Sequence, residues 1–206
     1  AEKALRARID LDRRDGAGTD VDVRREHNEF WFTRRRTLLT QRTSLIVDPP
    51  DGRLPALTEQ AESRREARAQ YLSQHPADSW DDRSLGERCI MLYSGPPMLP
   101  APVNNETILG YPFHFQILQT RDYVVILHEE LGRRVVPLDN RPHVSASISQ
   151  WHGHSRGRWE GNTLVVETTR LRDGRRHSGL SFTDSLHLVE RFTRVGADTL
   201  DYRFTV

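Results

Sequence analysis

The sequence predicts a mainly β protein: an antiparallel barrel or strongly curved sheet over residues 105–206, preceded by an extension with one or two helices over residues 1–104. Three observations predict it. From Phe113 onward, β-rich runs follow one another, separated by turn signals. In the last run Leu200, Tyr202, Phe204 and Val206 alternate with Asp201, Arg203 and Thr205, the period of a strand with one apolar face. The first half carries helix-forming composition and a proline-rich stretch that cannot enter a central sheet.

Taken in order, residues 1–14 have helical spacing at Ala4, Leu5 and Ile9, and 15–19 (DGAGT) break it. Residues 26–32 carry three aromatics in a row, an anchor onto a core. Residues 43–47 (TSLIV) read as a short strand, and 48–52 (DPPDG) as a rigid corner. Thr58 can cap a helix to about Ser73 whose few apolar positions leave it mostly in water. Residues 75–82 read as a loop, and 91–102, with four prolines, as an extended wrap. The hairpin region 113–138 comes next, its second run ending in His128-Glu129-Glu130. Glu160-Gly161-Asn162 marks a tight turn before a strand at 163–169 (TLVVETT). After a basic loop, 185–193 and 199–206 are two more strands joined through Gly196-Ala197-Asp198. No fixed-period repeat is visible, which excludes propellers and solenoids. The chain opens on Ala1 and stops inside a strand pattern, as a processed or trimmed product would.

Composition bounds the function. The chain has 206 residues, 36% apolar and 29% charged, enough to bury a core without disulfides. Its 30 basic and 29 acidic residues leave a net charge of +1, against the basic surplus of a nucleic-acid binder. Cys89 is the single cysteine, so no internal disulfide forms, and it has no marked His/Asn arrangement for a thiol nucleophile. No apolar run reaches the length of a membrane span. There is no GxGxxG, GxxxxGK or GxSxG pattern, which disfavours nucleotide-driven and serine-hydrolase chemistry and calls for no cofactor.

The titratable residues cluster in the β half. His128 and Glu129 are strand neighbours and face opposite ways: His128 with Val124 and Ile126, Glu129 with Tyr123, Val125 and Leu127. An imidazole near neutrality is a general base, and a carboxylate continuing an apolar face can act as an acid. The plain alternative is a strand that ends at the surface. His143, His152 and His154 invite a zinc reading, although no fourth ligand is marked. Arg156, Arg158, Trp159 and Glu160 form a further group, in which Arg and Trp together can clamp a carboxylate or cover a ring; equally, the Trp can plug a barrel end with an Arg stacked on it. Asn104, Asn105 and Tyr123 complete the candidate binding residues. If the apolar face of 186–192 meets the core, Glu190 is a buried carboxylate that needs an arginine, which makes it structural.

Several runs together carry a resemblance: RTSLIVDPPDGRLPALT (42–58), RSLGERCI (83–90), GPPMLP (95–100), QILQT with YVVILHE (116–129), VPLDNRPH (136–143), SRGRWEGNTLVVETT (155–169) and LVERFTRVGADTLDY (188–202). The set resembles an uncharacterised family of bacterial proteins that often begin with signal peptides. The resemblance covers most of residues 42–206. It implies a periplasmic or secreted protein and supplies no activity. The family tends to carry an acidic residue where this chain has His154.

Three functions follow from different features. The first is a cofactor-independent acid/base enzyme of lyase, isomerase or hydrolase type acting on a small organic molecule. In it His128, Glu129 and His143 transfer protons, and Arg158, Trp159, Asn104, Asn105 and Tyr123 hold substrate. The second is a non-catalytic, lipocalin-like carrier with an apolar lumen. The third is a metal-dependent site at His143, His152 and His154.

Overall fold

The computed structural model describes residues 44–83, 85, 87–90, 97–98, 115–128, 132–172, 176–177, 180–181 and 185–206. Residues 34–88 form one compact unit, and 89–206 belong to another.

In the first unit, helix α1 (Glu59–Gln74) begins where Thr58 caps it, its hydroxyl accepting from the Ala61 amide at 3.2 Å. Glu59 and Glu62 in the first turn suit the positive end of the helix dipole, and the helix has no buried residue, as its sparse apolar positions require. The strand expected at 43–47 is not formed by the described residues 44–47. The Ser44 hydroxyl donates to the Gly52 carbonyl at 2.8 Å and accepts from the Ile46 amide at 3.0 Å, so a side chain replaces a ladder partner. The corner at 48–52 is present, closed by the Gly52 amide on the Pro49 carbonyl at 3.1 Å with Gly52 at φ 72. The loop expected at 75–82 contains a 3-10 turn, Trp80–Asp82, fixed by a reciprocal cap between Ser79 and Asp82. Arg88 stacks over Trp80 at 4.4 Å.

The second unit is antiparallel β. Strands β1 (Phe115–Gln119), β2 (Tyr123–His128) and β3 (Gly132–Pro137) form a three-stranded sheet in that order. Strands β4 (His154–Glu160), β5 (Thr163–Thr169), β8 (Leu188–Arg194) and β9 (Leu200–Thr205) form a four-stranded sheet in that order. Strands β6 (Arg176–His177) and β7 (Leu180–Ser181) pair with each other where a basic loop was expected. Among the described residues no ladder joins the two larger sheets and no closed barrel is seen; mainly antiparallel β is the level at which the expectation holds. No helix among them is long and apolar enough to cross a membrane.

Period-two alternation sorts the faces. Val124, Ile126 and Val136 of the first sheet pack with Leu164, Val166 and Phe192 of the second in one buried cluster, to which Met98, Leu138 and Tyr202 add. Gly157 makes close approach possible: a Cβ there would lie 2.8 Å from Val136 Cγ1 and 2.9 Å from Leu138 Cδ2.

Beside the apolar cluster lies a buried polar network. Arg134 of β3 and Glu190 of β8 are 3% and 0% exposed. The guanidinium donates from Nη1 to Glu190 Oε1 at 3.1 Å and from Nη2 to Oε2 at 2.5 Å, a bidentate pair. Nη2 also reaches Thr168 Oγ1 at 3.2 Å and Ser155 Oγ at 3.3 Å, and those hydroxyls bond each other at 2.8 Å. Tyr202 donates to Glu190 Oε1 at 2.8 Å and accepts from the Met98 amide at 2.9 Å. Burial, and then the neighbouring Glu190 charge, raise the Tyr202 pKa, which keeps the phenol protonated as a donor. Glu190 is thus the buried carboxylate the alternation of 186–192 implied, with Arg134 as its arginine.

Arg134→Ala strands the Glu190 charge and should cost about 3–5 kcal/mol of stability. Arg134→Met combined with Glu190→Leu should be markedly less destabilised than either single change, as read by urea unfolding. A single variant with an unchanged midpoint would contradict the assignment.

Candidate functional site

The face of the four-stranded sheet turned away from the core is rich in charge. It carries His154, Arg156, Arg158 and Glu160 from β4, Val165 and Glu167 from β5, and Arg191 from β8. Val165 is fully buried between Arg158 and Arg191 in register. Both arginines converge on Glu160: Arg158 from Nη2 and Arg191 from Nη1, each at 2.7 Å. Those two hydrogen bonds, that of Arg191 foremost, hold the Glu160 carboxyl below its ordinary pKa. Glu167 receives His187 Nε2 at 2.8 Å.

The segment after β3 crosses this face as a strap. Asp139 turns it by accepting the Arg141 amide at 3.2 Å and pairing with the Arg141 guanidinium. The Arg141 contact lowers the Asp139 pKa; Asp139 and then Tyr123 raise that of Arg141, which places Tyr123 beside it. Three contacts then pin successive residues: Arg156 Nη2 donates to the Pro142 carbonyl at 3.1 Å, His143 Nδ1 meets His154 Nδ1 at 2.9 Å, and Arg170 Nε reaches the Val144 carbonyl at 3.4 Å. Arg170 stands at φ 58, a conformation that strains a side-chain-bearing residue by about 1–2 kcal/mol. The Gln150 amide, bonded to the Arg170 carbonyl at 2.9 Å, and the Gln150–Leu171 bridge hold it there. Gly153, at φ 68, gives the chain its last turn into β4.

Between strap and sheet lies a cleft of about 190 Å³, lined by Asp139, Asn140, Arg141, His143, Arg156, Gly157, Arg158 and Glu167. A second cleft, about 500 Å³ and lined by Ser185, Leu186, His187, Val189, Thr205 and Val206, is larger but has one titratable side chain, His187. The smaller cleft has six, so chemistry is concentrated there.

Two histidines whose Nδ1 atoms are 2.9 Å apart are constrained: one nitrogen must donate and the other accept. The pair therefore holds opposite tautomers when neutral and at most one extra proton. Burial lowers the pKa of both rings. For His143 Glu167 opposes this while Arg156 and Arg170 reinforce it; for His154 Arg156, His143 and Arg170 all reinforce it.

The residues singled out from the sequence are distributed as follows. His143 lines the cleft, as does Arg158, and Tyr123 stands beside the strap's Arg141. Trp159, Arg158's neighbour, points to the opposite sheet face and is half-exposed, so the two do not form one clamp. Arginine stacking occurs at Trp151 instead, under Arg172 at 4.6 Å. His128 lies on the Val124–Ile126 side of β2, edge-on to Phe115 at 4.9 Å and 6.3 Å from His152. The histidines thus separate into His143–His154 and His128–His152, and His143, His152 and His154 do not converge. Among the described residues no group of three metal-ligating side chains is assembled. Glu129, Asn104 and Asn105 lie outside the described residues. Arg156, read from the sequence together with Arg158, Trp159 and Glu160, also lines the cleft; Arg170 and Glu167 are not read as site residues, because the strap that joins them to His143 leaves no mark in the periodicity. No protein-family model matches the chain, and no curated protein or solved structure matches it significantly.

Because the folded state keeps both imidazoles neutral below the ordinary value of 6.5, the unfolded chain binds more protons there. Stability should be insensitive to the pair at higher pH, fall as pH drops through 6.5, and level off once the folded-state values are passed. His154→Asn should show a shallower decline between about pH 7 and 5 in thermal unfolding, since one of the two resisting rings is gone. An equal decline would contradict the constraint.

Proposed function

We propose that this protein binds a small organic molecule in the cleft under the strap and transfers protons to and from it without a cofactor. The carrying observation is the His143–His154 contact at the wall of a charged cleft. In the neutral pair, the ring that donates at Nδ1 has a free lone pair at Nε2, and its partner carries a proton at Nε2. Base and acid are therefore present together. His143 takes a proton at Nε2; its Nδ1 proton passes to His154 Nδ1, and the Nε2 proton of His154 is released. Burial, reinforced by Arg156 and Arg170, lowers both pKa values and keeps the pair in the neutral, base-competent form near pH 7.

The cleft sits below the ~300–1,000 Å³ usual for drug-sized ligands, which supports a substrate of few atoms. The strained Arg170 beside the pair supports a site over a plain surface, since such strain concentrates where geometry is used. This reading needs no closed barrel, because the cleft is on the outside of its sheet. His128 and Glu129, the other proton-transfer candidates, have no part in this scheme.

Solvent deuterium exchange tests it. In D₂O the protein should catalyse deuterium incorporation next to a carbonyl in at least one of a panel of small ketones, esters and carboxylates, followed by proton NMR. His143→Ala should lower the rate about a hundredfold or more, and His128→Ala should leave it near wild type. Saturable binding of panel members without exchange would instead mark a non-catalytic carrier, and equal rates in His143→Ala would end the assignment.

A further inference from the structure

We propose that the ligand of this cleft is a small organic carboxylate and that Arg156 holds its carboxylate group. The inference rests on the reading of the cleft as a small-molecule site and adds the class of molecule. Arg141 is neutralised by Asp139, and Arg158 shares Glu160 with Arg191. Arg156 and Arg170 have no carboxylate partner among the described residues; each donates to a main-chain carbonyl of the strap, Pro142 and Val144.

A carbonyl satisfies one N–H of a guanidinium that has five, and it leaves the charge uncompensated. Of the cleft's carboxylates, Glu167 lies opposite Arg156 in register but has an oxygen bonded to His187 at 2.8 Å, and Asp139, which feels the Arg156 charge, is paired with Arg141. Arg156 Nε is left without a hydrogen bond. The cleft therefore has a wall with an unspent cation next to His143. A planar fork of donors matches a planar carboxylate in two hydrogen bonds, which a compact ammonium cannot reproduce. A carboxylate held there would lie beside the histidine pair, the position a substrate needs if His143 is to reach the carbon next to it.

The test uses benzoate and inorganic phosphate as probes. Benzoate should shift the ring resonances of His143 and His154 saturably in NMR spectra of the whole chain. Arg156→Gln should weaken that binding roughly tenfold or more, and Arg156→Lys, which keeps the charge and loses the fork, should weaken it by less. Arg203→Gln, on the far strand and paired with Asp201 at 2.9 Å, should bind as wild type does. Absence of a saturable shift, unchanged affinity in both Arg156 variants, or tighter binding of phosphate than of benzoate would overturn the proposal. Binding is read without turnover: benzoate held normally by His143→Ala, with no exchange activity in wild type, would leave the carboxylate site standing and end the proton-transfer reading. The reverse outcome would end this one alone.

Discussion

The ion pair between Arg134 and Glu190 is the constraint on which the β unit depends. The two larger sheets share no hydrogen-bonded ladder among the described residues, and apolar packing alone does not fix how one lies on the other. A bidentate charge pair does, because its geometry tolerates little displacement and its failure leaves a charge in the core. It also fixes the register of β3. Sliding that strand by one residue would turn Arg133, now exposed, inward and take Arg134 out. Ser155, Thr168 and Tyr202 satisfy further donors and acceptors, so all four strands of the second sheet contribute to one network.

Fixing the inner face fixes the outer one. With Ser155 and Gly157 directed at the core, His154, Arg156 and Arg158 must emerge on the other side. With Thr168 inward, Glu167 emerges beside them. The strap then needs only main-chain carbonyls and one histidine to settle on this array, which supplies two arginine donors and an imidazole at the right spacing. The surface charges are mostly spent in local pairs such as Arg158–Glu160–Arg191, each worth little on its own in water. What is left over, Arg156 and Arg170, lies around the histidines and reinforces the bias toward neutrality that burial already gives them. The chemistry proposed for the cleft draws on that imbalance.

Much of this fold is legible in the amino-acid sequence. Thr58 announces its helix through an oxygen able to cap it, and 163–169 and 200–205 announce strands through β-branched and alternating residues. Glu190 is recognisable as a buried carboxylate from its place among Leu188 and Phe192. Its partner is not, because Arg133 and Arg134 are adjacent and only the register chooses between them. The failures share a cause. The run 43–47 has strand composition, yet Ser44 satisfies the backbone locally instead. Arg158 and Trp159 look like one clamp because they are adjacent in sequence, which on a strand places them on opposite faces. The three clustered histidines look like one site, but Gly153 turns the chain between His152 and His154 and sends them to different neighbours. The sequence also suggests a site inside a curled sheet, whereas both clefts described here lie away from the apolar cluster between the sheets. Periodicity reports which way a side chain faces; it does not report which loop will lie over it.

The central claim is that His143 and His154 form a proton-sharing pair. Long-range ¹H–¹⁵N spectra of the histidine rings at pH 7.5 read it directly, since they distinguish the nitrogen that carries hydrogen in each ring. The account predicts one ring of the pair protonated at Nδ1 and the other at Nε2, with His154→Asn altering the tautomer balance of His143. Finding both rings in the same Nε2-protonated form, indifferent to each other's replacement, would contradict it.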